Sequence, residues 1–160
     1  MQNPCVPYPN AVNLFWDIAL VLFFIGLAAF FVAAEIALLS LRESQIRQLA
    51  TQGKRGARVA SLTSNPNRFL AAAQVGVTFC GFLSAALGSE RIGVYVIPVL
   101  EEWGLSRSTS TTLSLIILTL VISYISLVFG ELVPKRLAIY RTELIALASA
   151  ATIDRIAHIF

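Results

Sequence analysis

A chain of 160 residues is long enough for one domain, but 57% of it is hydrophobic and only 13% charged. That balance is too apolar for a soluble domain of this size, so lipid must cover much of the apolar surface. The net charge of +3 comes with no basic tract interleaved with aromatics, which argues against a nucleic-acid partner. Cys5 and Cys80 form no disulfide framework, and the single His158 has no neighbouring ligand set and reads as an interfacial residue. The composition predicts an all-α membrane protein.

Residues 1–13 hold Gln2, Asn3, Asn10 and Asn13, three prolines and no Lys or Arg. A signal peptide begins with positive charge, so this stretch reads as a short extracytoplasmic tail. Residues 14–41 form the first apolar run, longer than a bilayer needs, with Trp16 suited to the interfacial belt and Asp17 within reach of water. Glu35 lies well inside this run among Ala33, Ala34, Ala37 and Ser40, small residues that let a second helix approach. Residues 42–64 are basic and carry Ile46, Leu49 and Ala50 at helical spacing, with Gly53 as a break. They predict a hairpin of amphipathic juxtamembrane helices facing headgroups or phosphates.

Asn65-Pro66 predicts a helix start, and residues 69–87 form the second span. Ala72, Gly76, Cys80, Ser84 and Gly88 recur every four residues as a small-residue packing face, and Gln74 reads as a buried amide. Ile92–Leu100 is apolar but too short to span and contains Pro98, so it is expected to lie at the outer surface or to dip partly in. Residues 112–133 form the third span, with Ser123, Ser126 and Gly130 as its small face. Residues 143–160 mix aliphatic residues with Glu143, Asp154 and Arg155 and predict a surface amphipathic helix. The chain is thus read as a tail, 1–13, and a membrane domain, 14–160, with three spans.

The third span ends in Phe129-Gly130-Glu131-Leu132-Val133-Pro134-Lys135. A carboxylate at that depth costs a few kcal/mol or more and needs a partner, a proton or a cation. Pro134 has no N–H and clashes with the carbonyl four residues back, so in an α-helix it bends the chain and leaves the Gly130 carbonyl free beside Glu131. A free carbonyl next to a carboxylate suits a hard cation. The plainer reading pairs Glu131 with Lys135 or Arg136. Lys/Arg counts put the N-terminus outside and the C-terminus in the cytosol of a cell-membrane protein. Glu35, Gln74 and Glu131 then share the cytosolic half, on three helices. With Ser40 and the Gly130 carbonyl they make an oxygen-only donor set, which suits magnesium or calcium and disfavours zinc or copper. No nucleophile–base set or phosphate loop marks an enzyme.

Three segments, Phe31-Val-Ala-Ala-Glu35-Ile-Ala-Leu-Leu-Ser40, Leu70-Ala-Ala-Ala-Gln74-Val-Gly76-Val-Thr78 and Val128-Phe-Gly130-Glu131-Leu-Val-Pro134-Lys135, resemble the membrane domain of the CNNM/CorC magnesium transporters. The resemblance covers the chain from residue 14. It implies a homodimer of three-span protomers in the lipid bilayer and export of Mg2+, with possible Na+ coupling. It also implies C-terminal CBS modules in the full-length protein. Glu131 and Gly130 match the family motif. Val32 stands where family transporters carry a serine, and Val77 where many carry an asparagine, a Gly-Val-Thr form shared with the hemolysin-like bacterial branch. Two rival readings remain: a regulatory or scaffolding membrane module with its acids merely paired, and an exporter of an organic cation such as a polyamine.

Overall fold

The computed structural model describes residues 11–157; the tail through residue 10, with Cys5, and His158 lie outside the described residues. Helix α1 (Ala11–Ser40) is followed by the short α2 (Glu43–Ala50) and α3 (Lys54–Ser64), then by the long α4 (Pro66–Glu102). After a four-residue turn comes α5 (Arg107–Ile125), which continues without a break into a π-helical segment (Ser126–Leu132) and α6 (Val133–Tyr140); α7 (Thr142–Ala157) ends the described chain. Three rods are long and apolar enough to cross a membrane: Val12–Ser40, Pro66–Glu102 and Arg107–Tyr140. The all-α fold with three spans and shorter helices therefore stands as expected.

Two boundaries differ from the sequence expectation. The segment Ile92–Leu100 does not lie apart as a surface piece but continues α4, with Pro98 inside the helix. At 1.5 Å per residue the helix of 37 residues is about 55 Å long, well beyond a hydrocarbon core of about 30 Å. The helix is therefore longer than a single crossing needs, with the turns from Glu90 onward adding to it. They are held by two contacts. Arg91 Nη1 donates to Asp17 Oδ1 of α1 at 3.1 Å, and the bare Cα of Gly93 faces Ser114 and Leu118 of α5. A proline costs a helix one hydrogen bond and some steric strain, and these tertiary contacts offset that cost one to two turns before Pro98. The other difference is at Pro134, where the third rod does not end. The helical backbone runs through it, and the chain turns only at Arg141 (φ −130°, ψ 46°).

The packing is set by small residues at fixed spacing. The Ala72–Gly76–Cys80–Ser84–Gly88 face of α4 is turned inward, largely against α1 of the same chain. A Cβ at Gly76 would lie 2.8 Å from the Phe31 ring, and one at Gly88 would lie 2.3 Å from Ile122 Cδ1 and 3.1 Å from Val21 Cγ2. Gly88 thus joins all three rods at one level. The hairpin of α2 and α3 uses the same device more tightly. A Cβ at Gly56 would sit 1.7 Å from the Leu49 carbonyl oxygen, and Gly53 between the helices has φ +95°, a conformation glycine adopts at little cost. Helix α7 buries Ala146, Ser149, Ala150 and Ile153 in contact with α1, α3 and α4. Its amphipathic face is therefore turned to protein, and its exposed Leu144 and Arg155 look outward.

Overfilling this interface has a defined cost. Gly76→Leu is expected to destabilise the fold by about 1–3 kcal/mol or more, because the Phe31 ring has nowhere to retreat. Gly26→Leu, on the outward face of α1 with no atom within 4 Å of its Cβ position, serves as the control and is expected to be neutral. Thermal unfolding in detergent distinguishes them; equal melting temperatures would contradict the assignment of the contact.

Candidate functional site

The π segment sets the geometry around Glu131. An i→i−5 ladder inserts one residue into the helix and shifts the hydrogen-bond register, a feature often found at functional positions. Here the ladder reaches Val133, whose N–H donates to the Val128 carbonyl. The next residue is Pro134, which has no N–H. In this register the carbonyl that Pro134 fails to serve is that of Phe129, not that of Gly130 as an α register requires. Gly130 itself is buried, with its Cβ position 3.7 Å from the Ile25 carbonyl oxygen and 3.8 Å from Ala28 Cβ. The widened turn therefore lays its one bare residue on α1.

Glu131 is the next residue round the turn. It lines a groove of about 570 Å³ between α4 and the α5–π rod. Gln74 and Thr78 come from α4, and Thr119, Ser123 and Ser126 from the facing rod; Phe82 and Leu127 supply apolar wall. The antiparallel course of the two rods places Gln74 and Glu131 toward one end of this groove and Thr119 and Ala85 toward the other. Gln74 is exposed to the groove rather than buried between helices. The carboxylate of Glu131 lies 3.7 Å from Lys135 Nζ, with the two side chains 40% and 46% exposed. At that separation the two groups are in ion-pair range but beyond hydrogen-bond distance.

The remaining expected donors are not on this groove. Glu35 of α1 lies within electrostatic reach of both Lys135 and Glu131 but does not line the groove. Ser40 is the exposed last residue of α1. Val77 lines the groove and Val32 is buried; neither offers an oxygen. Among the described residues no group of three or more His, Cys, Asp or Glu is arranged to hold a metal ion. What the groove presents is one carboxylate at one end, an amide opposite, and four hydroxyls. Ser123 and Ser126, read in the sequence as a packing face with Gly130, line the groove instead, and Thr78 and Thr119 were given no role, although Gln74/Thr78 and Thr119/Ser123 are polar pairs at i,i+4 inside apolar runs, a readable signal.

The chain matches the family described as the Cyclin M transmembrane N-terminal domain over residues 19–160. A UPF0053 protein of Synechocystis is 37% identical over 89% of this chain and 33% of its own length. The UPF0053 protein YrkA of Bacillus subtilis is 35% identical over 81% of this chain and 30% of its own. A Haemophilus influenzae protein named polyamine export protein is 27% identical over 93% of this chain and 34% of its own. The chain thus spans about a third of the length of these curated relatives.

If the groove is a polar passage, single cysteines at Thr119 and Ser123, in a Cys5→Ser/Cys80→Ala background, are expected to react with a small charged thiol reagent. A cysteine at the fully buried Ser114 is expected not to react. Protection of both groove positions would show that lipid or protein seals the groove.

Proposed function

The chain belongs to the Cyclin M transmembrane N-terminal domain family, and from that premise we propose that it is the cation-conducting membrane domain of a transporter. The observation that carries the reading is the groove shared by Glu131 and Gln74. It sets a carboxylate of weak existing partnership beside neutral oxygens, in a rod that crosses the apolar layer. Intramembrane acids in such positions belong to ion pathways. The cargo we propose first is Mg2+ moving outward, with Na+ as a possible counter-ion. Magnesium keeps several of its waters when bound by one or two carboxylates, and a groove of about 570 Å³ has room for a hydrated ion. Glu131 supplies charge and Gln74 orients a water. A carbonyl of the widened turn, Phe129 or Gly130, supplies a further oxygen, and Glu35 and Ser40 act from α1 on the approach to the site. In this proposal the basic end, with α2, α3 and α7, faces the cytosol. The protein works as a homodimer, and the remainder of a longer polypeptide carries regulatory CBS modules.

A second reading is favoured by specific features. Lys135 already presents an alkylammonium to Glu131, and Val77, Phe82 and Leu127 give methylene-length apolar wall between polar positions. That pattern also suits a polyamine, and one relative is named a polyamine export protein.

Liposome flux decides between them. Glu131→Gln is expected to lower flux of the true cargo by at least about tenfold, some 1.4 kcal/mol, while the protein stays monodisperse. Flux of magnesium but not spermidine in the parent protein supports the first reading, and the reverse supports the second. Unchanged flux of both in Glu131→Gln removes the site. Pro134→Ala restores a backbone donor at the end of the π ladder and is expected to weaken cation binding severalfold without loss of a side-chain ligand. Equal affinity by titration calorimetry would show that Pro134 only shapes the helix.

A further inference from the structure

The ends of the molecule differ sharply in charge. Ten of the twelve Lys and Arg, but only five of the nine acids, lie within residues 35–68 and 131–155, the end built around α2, α3, α6 and α7. Most of those acids are engaged. Glu43 pairs with Arg47, Asp154 lies 3.8 Å from Arg58, and Glu131 meets Lys135. Glu143 Oε1 accepts from Gln45 Nε2 at 2.8 Å, tying α7 to α2. Arg136 and Arg141 carry no ion pair among the described residues.

The corner between α6 and α7 adds shape to that charge. A cavity of about 480 Å³ there is lined by Gln45, Ile139, Tyr140, Arg141, Glu143 and Leu144, with Thr142 between. Leu137, Ile139, Tyr140 and Leu144 are each more than half exposed, Tyr140 at 85%. This corner is the end of the third membrane-crossing rod, where aromatic rings and long cations meet lipid headgroups. Apolar side chains left open around an arginine at that level match a lipid, with its phosphate and first acyl carbons side by side. Basic pockets of this kind at the ends of membrane helices bind anionic headgroups.

We propose that the α6–α7 corner is a binding site for an anionic phospholipid. Arg141, which lines the cavity, takes the phosphate. Tyr140 lies at the headgroup boundary, and Ile139 and Leu144 receive the upper acyl chain. Glu143 is drawn toward Gln45, so the phosphate enters from the arginine side. A free phosphate is the poorer occupant because it leaves the exposed Leu137, Ile139, Tyr140 and Leu144 around the cavity uncovered.

The test is thermal unfolding of the detergent-purified protein with added phosphatidylglycerol, phosphatidylcholine or soluble glycerol phosphate. Phosphatidylglycerol is expected to raise the melting temperature above the phosphatidylcholine value. Arg141→Gln is expected to need at least about tenfold more of the anionic lipid for the same shift. Arg55→Gln, on the exposed face of α3, is expected to keep the full response. The proposal fails if the two lipids act alike, if Arg141→Gln responds as the parent does, or if Arg55→Gln loses as much, which would mark a diffuse charge effect. It fails also if glycerol phosphate alone reproduces the shift, which would mark a site for a soluble anion.

Discussion

Phe31 presses its ring on the place where Gly76 has no side chain, and the position of the third rod depends on that contact. With α1 and α4 in such close approach, the next small residues along the face, Cys80, Ser84 and Gly88, keep the two helices together for three turns. Gly88 then admits Ile122 from α5 and Val21 from α1 at one level. Between helices in lipid there is no hydrophobic drive, because acyl chains are as apolar as leucine, and close van der Waals packing at small residues takes its place. The three rods are thus locked at Gly88 and free to differ elsewhere. On the side of α4 away from Phe31 the packing is looser, and there the groove opens.

The π segment exploits that freedom. One extra residue between Ser126 and Leu132 rotates the next turns of the rod relative to a regular helix. Gly130 meets α1 at Ile25 and Ala28, while Glu131, the next residue round the turn, lines the groove that Gln74 also lines. Pro134 then sits where its missing donor falls on the widened ladder, and the segment packs Gly130 on α1 and lines the groove with Ser126, Leu127 and Glu131. Irregular backbone at membrane depth is tolerated only in such places.

Much of this was legible in the sequence, for reasons that particular residues make plain. Run length fixed the three spans, since only helices satisfy the backbone in hydrocarbon. The i+4 repeat from Ala72 to Gly88 announced the packing face, and Gly53 announced the break between α2 and α3. The extension of α4 was hidden because the rule against proline in a helix is local. The contacts that outweigh it, Asp17 with Arg91 and Gly93 with Ser114, join residues 74 and 21 positions apart in sequence. The π register was hidden because a one-residue insertion leaves no periodicity of its own. Gln74 was read as buried because its neighbours are apolar. The position of the small-residue face, nearly opposite Gln74 and Thr78 on the helix, already contained the correction.

The ion pair at the groove is best understood through its weakness. A carboxylate at the edge of the apolar layer cannot stand alone, and Lys135, one turn on, gives Glu131 a partner at 3.7 Å. Were that pair short and dry, breaking it would cost several kcal/mol, and no arriving cation could displace it at a useful rate. Were there no lysine, the groove without a cation would hold an uncompensated charge. A long pair, beyond hydrogen-bond distance, lies between these extremes. In the proposed transport role it neutralises the carboxylate between cargoes and yields to a cation that also gains the Gln74 amide and the hydroxyls of Ser123 and Ser126. On that proposal Lys135 is the internal competitor against which any cargo is measured, and the length of its ion pair bears on affinity as much as the identity of the ligands.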